Sequence, residues 1–196
     1  MTLFQLHVEN WKDCTRCDLH LIRRHVVLVR GTGIPCDVVF IGEAPGHSEN
    51  SGANKERKPF CGPAGILLDY IISESIPTDM TYAVTNLIGC IPKDDGGKLE
   101  EPPEEAIISC KPRVEELIEL CNPKLIVNVG KHSKDWCEQG IKGNIKFHKP
   151  IKQIHVLHPA YIVRQSEHIK QQLTRKTVIS IQTAIEELKD ATNSCR

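Results

Sequence analysis

Four cysteines are spaced so that they could share one metal centre. Cys14 and Cys17 form a C-x-x-C pair, whose two thiolates can bind the same ion or cluster. Cys90 follows a predicted strand and Cys110 lies in the next predicted helix, so one loop could bring both to the amino-terminal pair. Four thiolates suit zinc or an iron–sulfur cluster equally well on chemistry alone, and an isolated C-x-x-C pair could also be redox-active.

The other five cysteines have no partners at comparable spacing. The total of nine is odd, which fits poorly with a complete set of intramolecular disulfides. A free cysteine behaves as a small hydrophobic residue. We therefore expect these five to be core residues or isolated thiols: Cys36, Cys61, Cys121, Cys137 and Cys195.

A second set of polar residues follows the predicted strands. Glu43 lies in the sequence GEAPG after the first strand, Asn86 lies near the end of the second, His132 follows the third and His158 follows the fourth. Because ligands of open α/β sheets bind beyond the carboxyl ends of the strands, a carboxylate, an amide and an imidazole should meet at one edge. The GEAPG loop lacks the features of a P-loop or a dinucleotide-binding turn, which argues against a nucleotide cofactor.

Each of these residues also has a purely structural interpretation. Phe60, just before a predicted helix, could stack on a planar base or belong to the core. The amide of Asn86 both donates and accepts, so it could read the edge of a pyrimidine or satisfy a turn. His158 could donate to a developing anion or be structural. The glycines around Glu43 could let backbone approach a ligand or simply form a turn.

Alternating strands and helices must position these residues. Short runs rich in β-branched residues predict strands, and apolar residues at helical spacing predict helices. Their alternation predicts a three-layer α/β/α fold with a central, mostly parallel four-stranded sheet. The strands are predicted at 38–41, 82–88, 125–129 and 154–157, and the helices at 64–76, 104–120 and 165–189. The inward stripe predicted for the second helix is Ile107, Cys110, Val114, Leu117 and Cys121.

The length and composition fit one globular domain. With 196 residues, 40% hydrophobic and 26% charged, we expect a single domain over residues 1–196, acting as a monomer. No apolar run is long enough to cross a membrane and the amino terminus lacks a signal-peptide pattern, so we expect a cytoplasmic protein. Basic and acidic residues balance at 25 each, so any contact with nucleic acid would depend on a local patch.

The order and positions of these motifs together resemble the family 4 uracil-DNA glycosylases, the iron–sulfur branch of the uracil-DNA glycosylase superfamily. The resemblance runs from Cys14 to Arg164. Its motifs are Cys14-x-x-Cys17, GEAPG followed by Glu49, Pro59-Phe60-x-Gly62-x-Ala64-Gly65, Tyr82-x-x-Thr85-Asn86, Cys90, Cys110, the stretch from Pro123 to Gly130, and His158-Pro159-x-Tyr161.

The resemblance implies hydrolysis of the N-glycosidic bond of uracil in DNA, leaving an abasic site. By similarity, Glu43 would support the attacking water and His158 would stabilise the departing base. DNA would be the partner, in single- or double-stranded form with the base flipped, and the protein would be nucleoid-associated when acting. The implied ligands of a structural [4Fe-4S] cluster are Cys14, Cys17, Cys90 and Cys110; the base would contact Gly42, Ala44, Phe60 and Asn86, and the DNA would contact Gly62, Gly65, Pro159, Ala160 and Arg164.

Several features depart from the family pattern. A longer loop precedes Pro59, and its basic residues at 55–58 could touch DNA phosphates or form a solvated turn. The stretch at 94–105 is acidic where the family is basic, Cys61 replaces a common valine, and the histidine-containing insertion of the branch that cross-links to uracil DNA is missing. These departures surround the base pocket and the DNA face. They leave two alternatives open: a glycosylase for a modified pyrimidine, such as an altered cytosine in viral DNA, or a catalytically silent DNA-binding protein.

Overall fold

The sheet at the centre of the fold has five strands in the order β1-β3-β2-β4-β5. The computed structural model describes residues 2–138 and 151–193. β3, β2, β4 and β5 run parallel, which confirms the predicted parallel four-stranded sheet, and a short β1 adds an antiparallel edge. The strands are β1 Arg30–Gly31, β2 Val38–Gly42, β3 Tyr82–Asn86, β4 Leu125–Val129 and β5 Lys152–Val156.

The central strands form because almost every side chain in them is apolar. All five residues of β2 and all five of β4 are buried, as parallel strands covered by helices on both faces require. The second predicted strand was too long: β3 ends at Asn86, although Leu87 and Ile88 are also buried. A hydrophobic run cannot mark where sheet pairing stops, because core loops bury apolar residues as well. The edge strand β1 was not predicted, since two residues carry no periodicity.

Six α-helices flank the sheet in the described parts of the chain, and a 3-10 helix at Asp18–Leu21 follows the C-x-x-C pair. One core lies between the sheet and α1 and α3, and a second lies between the opposite face and α2, α5 and α6, which gives the predicted three layers. The helices are α1 Leu3–Trp11, α2 Pro63–Ser75, α3 Glu104–Cys121, α4 Lys131–Glu138, α5 Pro159–Val163 and α6 Glu167–Asn193. Of these, α1, α4 and α5 were not predicted.

The helix α3 shows how sequence pattern and packing agree. Its predicted stripe is confirmed, because Ile107, Cys110, Val114, Leu117 and Cys121 are all buried. Acidic residues occupy its first turn, where they favour a helix amino terminus, and the helix stops at a left-handed residue followed by a proline. This geometry carries Cys110 into the core beside the sheet.

Among the described residues, no helix combines the length and apolarity that crossing a bilayer demands.

Candidate active site and cysteine cluster

A cavity of about 350 Å³ lies at the carboxyl ends of the parallel strands. Loops after β2 and β3 and the helix after β5 meet there, so the predicted convergence at one edge of the sheet is confirmed. Of the predicted site residues, those that line the cavity are Glu43, Ala44, Phe60, Asn86, His158, Ala160 and Arg164. Four others lie near it without lining it: Gly42, Gly62, Gly65 and Pro159.

Gly42 lies beneath the cavity, at a position that only glycine fits. It ends β2 and pairs in register with Asn86 on β3. A Cβ atom here would lie 2.5 Å from Cζ and 2.7 Å from Cε2 of Phe60, and closer still to Oδ1 of Asn86. The missing side chain therefore makes the space in which the Phe60 ring and the Asn86 amide meet.

The ring of Phe60 is fixed by its own backbone and by its neighbours. Phe60 has a positive φ of 55°, which is uncommon for a bulky residue, and its side chain is only 6% exposed. A Cβ atom on Gly65 would overlap the Phe60 carbonyl, so Gly65 permits this tight turn into α2. The ring stacks on the imidazole of His158 with centroids 5.7 Å apart and an interplanar angle of 29°. Both aromatic groups are thus held at the cavity wall.

The side chain of Asn86 is buried, yet part of it has no partner. Asn86 is 2% exposed, and its Oδ1 accepts no hydrogen bond from residues 2–138 or 151–193. A buried polar atom without a partner costs about 1–3 kcal/mol, so such an atom at a cavity wall favours a ligand that supplies a donor. The imide edge of a pyrimidine has such a donor.

The end of β3 is held from below by Arg113, which the sequence analysis missed. The guanidinium of Arg113 is 1% exposed. It donates to the carbonyls of Asn86 and Leu87, the latter at 3.1 Å, and to the hydroxyl of Thr85 at 2.9 Å. Helical spacing could have revealed it, because Arg113 is three residues after Cys110 on the inward face of α3. A charged residue in an apolar stripe signals a buried polar network.

Glu43 directs a carboxylate at the cavity, and its side chain is 27% exposed. Burial raises the pKa of the Glu43 carboxyl above its ordinary value; the imidazole of His132 opposes this rise and the carboxylate of Glu101 adds to it. His132 Nε2 lies 4.0 Å from Glu43 Oε2 and 3.7 Å from Glu101 Oε1. The sequence analysis placed His132 at this edge of the sheet but did not link it to Glu43.

His158 is held in one tautomer. Its Nδ1 accepts a hydrogen bond from the backbone N–H of Ala160 at 3.1 Å, so the proton of the neutral ring lies on Nε2. Burial, with a smaller contribution from the positive charge of Arg164, lowers the pKa of His158 to about 4. Near pH 7 the ring is therefore neutral and offers one N–H donor. Gly130, with a φ of +96°, lets the end of β4 approach the ring closely.

The four cysteines predicted to share a centre lie together. Cys90 and Cys110 are buried in the core between α3 and the sheet, and Cys14 and Cys17 pack against that core. Burial raises the pKa of the Cys90 thiol to about 12; Arg23 opposes the rise, and the charges of Cys110, Cys17 and Cys14 add to it. The four thiols are therefore near enough to interact electrostatically. Four cysteine thiolates are the usual ligands of an iron–sulfur cluster.

These four thiols are not arranged as a site for a single metal ion. Within residues 2–138 and 151–193, no three Cys, His, Asp or Glu side chains are grouped so that they could hold one metal ion. Arg23 reinforces the loop that carries the C-x-x-C pair, because its Nη2 donates to the carbonyl of Cys14 at 2.7 Å. The chemistry of the four thiols fits an iron–sulfur cluster, and Cys14 and Cys17 both lie between α1 and the 3-10 helix.

The remaining cysteines behave as expected where their side chains are described. Cys36 and Cys121 are buried in the core, and Cys61 is exposed. The hydrogen bond with Cys36, together with burial, raises the pKa of Cys121 far above its ordinary value. The side chains of Cys137 and Cys195 lie outside the part of the chain that the structure describes.

The two unusual loops take different positions. In the basic loop, Arg57 donates to the carbonyl of Lys12 at 3.3 Å and Lys58 pairs with Glu56, so both cations are engaged within the protein. The acidic loop reaches the cavity, where Pro92, Leu99 and Glu100 form part of the wall. The acidic charge of this loop is visible in the sequence, but its place over the pocket is not.

Comparisons with known proteins show which family this chain belongs to. The family model described as "Uracil DNA glycosylase superfamily" matches residues 31–182. The chain belongs to the uracil DNA glycosylase superfamily. The family 4 resemblance is confirmed by relatives named "Type-4 uracil-DNA glycosylase". The relative from Thermotoga maritima is 32% identical over 170 residues, which are 83% of this chain and 84% of the relative.

Two further type-4 relatives are covered less fully. The protein from Sulfurisphaera tokodaii is 36% identical over 124 residues, 62% of this chain and 51% of the relative. That from Saccharolobus solfataricus is 32% identical over 137 residues, 69% of this chain and 59% of the relative. The chain thus spans about half to three fifths of the length of these two relatives.

Proposed function

We propose that this protein is a DNA glycosylase that hydrolyses the N-glycosidic bond of uracil and leaves an abasic site. The observation that carries the proposal is the buried, unpartnered Oδ1 of Asn86 at the wall of a cavity that also holds a carboxylate and a neutral imidazole. The names of the type-4 relatives support the same activity. Uracil carries an N–H flanked by two carbonyl groups, so it can satisfy an amide that must both donate and accept.

The proposed roles follow from the charges that the reaction creates. Breaking the bond leaves positive charge on the sugar and negative charge on the base, so a carboxylate near the sugar and a donor near the base lower the barrier. Glu43 would stabilise the sugar and accept a proton from the attacking water. His158, neutral with its proton on Nε2, would donate to the anionic base without giving up a full proton.

Phe60 and Asn86 would bind the base. A base in a duplex is inaccessible, so the nucleotide must be flipped into the cavity. Stacking on an aromatic ring contributes about 1–3 kcal/mol for any base, so selectivity must come from Asn86 and from the shape of the pocket. Ala44, Ala160 and Arg164 line the same cavity, which supports their proposed contacts with base and DNA. Gly62, Gly65 and Pro159 would then act through the backbone shape they permit.

A direct assay tests the activity. The protein should release uracil from a single-stranded oligonucleotide without added metal, detected by alkaline cleavage at the abasic site. Glu43→Gln should lower the single-turnover rate by about 10²–10⁴-fold, because it removes the proton acceptor and keeps the shape. Glu74→Gln, an exposed glutamate on α2, is the matched control and should leave the rate unchanged.

Two results would contradict the proposal. Strand breaks on modified-cytosine DNA and none on uracil DNA would make the protein a glycosylase for a different base. Binding to DNA without release of either base would make it a silent DNA-binding protein.

We further propose that Cys14, Cys17, Cys90 and Cys110 hold a [4Fe-4S] cluster. When bound, such a cluster would supply a structural cross-link between the amino-terminal loop and the loop after β3. The mutual proximity of the four thiols supports this proposal. Anaerobically purified protein should contain about four iron and four sulfide per chain. One zinc per chain, or no metal, would overturn the cluster.

The unpaired thiols also support a reducing compartment, so we propose a cytoplasmic monomer of one domain that associates with DNA when acting. Size-exclusion chromatography with light scattering should give the mass of one chain. A dimer would contradict this proposal.

A further inference from the structure

Three side chains from three separate segments of the chain meet beside the cavity. Glu43 comes from the loop after β2, His132 from the first turn of α4, and Glu101 from the acidic loop before α3. Nε2 of His132 lies 4.0 Å from Glu43 Oε2 and 3.7 Å from Glu101 Oε1, so one imidazole lies between two carboxylates. These distances are those of ion pairs rather than of direct hydrogen bonds.

The position of His132 is fixed by its own helix. The hydroxyl of the next residue, Ser133, is buried and donates at 2.6 Å to the carbonyl of Ile41, two residues before Glu43. Ser133 therefore ties the start of α4 to the end of β2. The backbone positions of His132 and Glu43 are therefore fixed relative to each other.

The acidic loop is also ordered by local contacts. The side chain of Asp94 accepts from the N–H of Lys98 at 2.7 Å, and the N–H of Glu100 donates to the carbonyl of Pro92 at 3.0 Å. This short hairpin brings Leu99 and Glu100 to the cavity wall and leaves Glu101 facing His132. A loop of negative charge is thereby held beside a pocket whose proposed general base is itself a carboxylate.

We propose that His132 is a positioning residue that keeps Glu43 ionised and directed at the cavity, and that it docks the acidic loop against the site through Glu101. The inference rests on the proposed role of Glu43 as the group that accepts a proton from water. His132 offsets the repulsion that the acidic loop would otherwise exert on Glu43. The acidic loop can then form a wall of the pocket without raising the pKa of Glu43 so far that its carboxylate takes up a proton.

The electrostatics of Glu43 support this arrangement. Burial raises the pKa of Glu43, His132 lowers it and Glu101 raises it, so the two neighbours act in opposite directions. Other titratable groups also face this region, from the Glu43 loop, the acidic loop and the two ends of α5. They are Glu49, Glu100, His158 and Arg164. None of these changes when His132 or Glu101 is replaced, so the two substitutions isolate the contributions of the pair.

The test is the pH profile of single-turnover uracil release at low ionic strength. The wild-type rate should rise with pH as Glu43 loses its proton and then reach a plateau. His132→Gln should shift this acid limb to higher pH by about half a pH unit to one pH unit. At a fixed pH on the limb, the rate should then be about threefold to tenfold lower than in the wild type. Glu101→Gln should shift the limb to lower pH, with a rate on the limb about twofold higher than in the wild type. This shift should be smaller than that of His132→Gln, because Glu101 is 83% exposed and its charge is screened by solvent.

Two variants separate charge from packing. His132→Lys places a permanent positive charge near Glu43, so its acid limb should lie at the same pH as that of the wild type or at a lower pH. Lys131→Gln removes an exposed charge from the neighbouring residue and should leave the profile unchanged. Thermal unfolding of each variant checks that the fold is retained.

Identical acid limbs in wild type, His132→Gln and Glu101→Gln would overturn the inference, as would shifts in the same direction. If the wild type releases no base from any substrate, the proposed function fails instead. In that case a carbon-13 NMR titration of the Glu43 carboxyl in wild type and His132→Gln tests the inference alone. An unchanged titration would refute it.

Discussion

Gly42→Ala is a sharp test of how the pocket is built, because it adds one methyl group where two site residues meet. Gly42 does not have a positive φ, so alanine fits its backbone conformation without strain. The added Cβ would lie 2.5 Å from Phe60 Cζ, whereas ordinary contacts begin at 3.4 Å. Relief of this overlap requires a displacement of about 1 Å in Phe60, in Asn86 or in the end of β2.

Neither neighbour can move freely. Phe60 is held by its turn into α2 and by its stacking on His158. Asn86 is held through its carbonyl by Arg113. A misplacement of about 1 Å in a site can cost about 10²-fold in rate, so we expect a loss of about that size. Overpacking a core costs about 1–3 kcal/mol, so the free energy of unfolding should fall by a similar amount.

The assay is single-turnover uracil release at saturating enzyme, with urea unfolding measured on the same preparations. Gly33→Ala is the matched control, because no atom lies within 4 Å of its added methyl group. That control should keep both the rate and the stability of the wild type. A Gly42→Ala protein with wild-type rate and stability would refute the view that Gly42 provides the space for Phe60 and Asn86.

Four further predictions concern His158, the pH dependence of stability, Cys90 and Arg113. His158→Ala should slow base release by about 10²–10³-fold, because it removes the N–H donor to the departing base. In the folded protein the pKa values of His158 and His7 lie at about 4, below the ordinary 6.5, so the unfolded state binds more protons between these two pH values. The free energy of unfolding should therefore decrease as the pH falls from 6.5 towards 4. Urea unfolding midpoints should show a smaller decrease in His158→Gln, which has no imidazole at this position. Cys90→Ser should lower the iron content measured by a chelation assay, whereas the exposed Cys61→Ser should not. Arg113→Met should lower the free energy of unfolding by about 3 kcal/mol in urea, because it leaves buried acceptors at the end of β3 unpaired; an unchanged midpoint would contradict that role.

Much of the fold follows from local pattern. The alternation of apolar strands with amphipathic helices predicted the parallel sheet and the inward face of α3. Burial on both faces of a strand leaves a continuous apolar run, and burial of one stripe of a helix leaves a periodic pattern. The edge strand at Arg30–Gly31 and the five-residue helix at Pro159–Val163 were missed. Elements that short hold too few residues for the hydrophobic pattern to repeat, and contacts from the rest of the chain stabilise them.

The positions of the site residues could also be predicted, because parallel strands deliver the residues that follow them to one edge of the sheet. The sequence therefore determined that Glu43, Asn86 and His158 would meet, and that four cysteines could lie together. Only the tertiary structure decided that Oδ1 of Asn86 has no partner in the described residues, that Arg113 supports the end of β3, and that His132 lies between Glu43 and Glu101. Hydrogen bonds and charge pairs between distant segments depend on angstrom-scale distances, and those distances are set by how the layers pack rather than by any local run of residues.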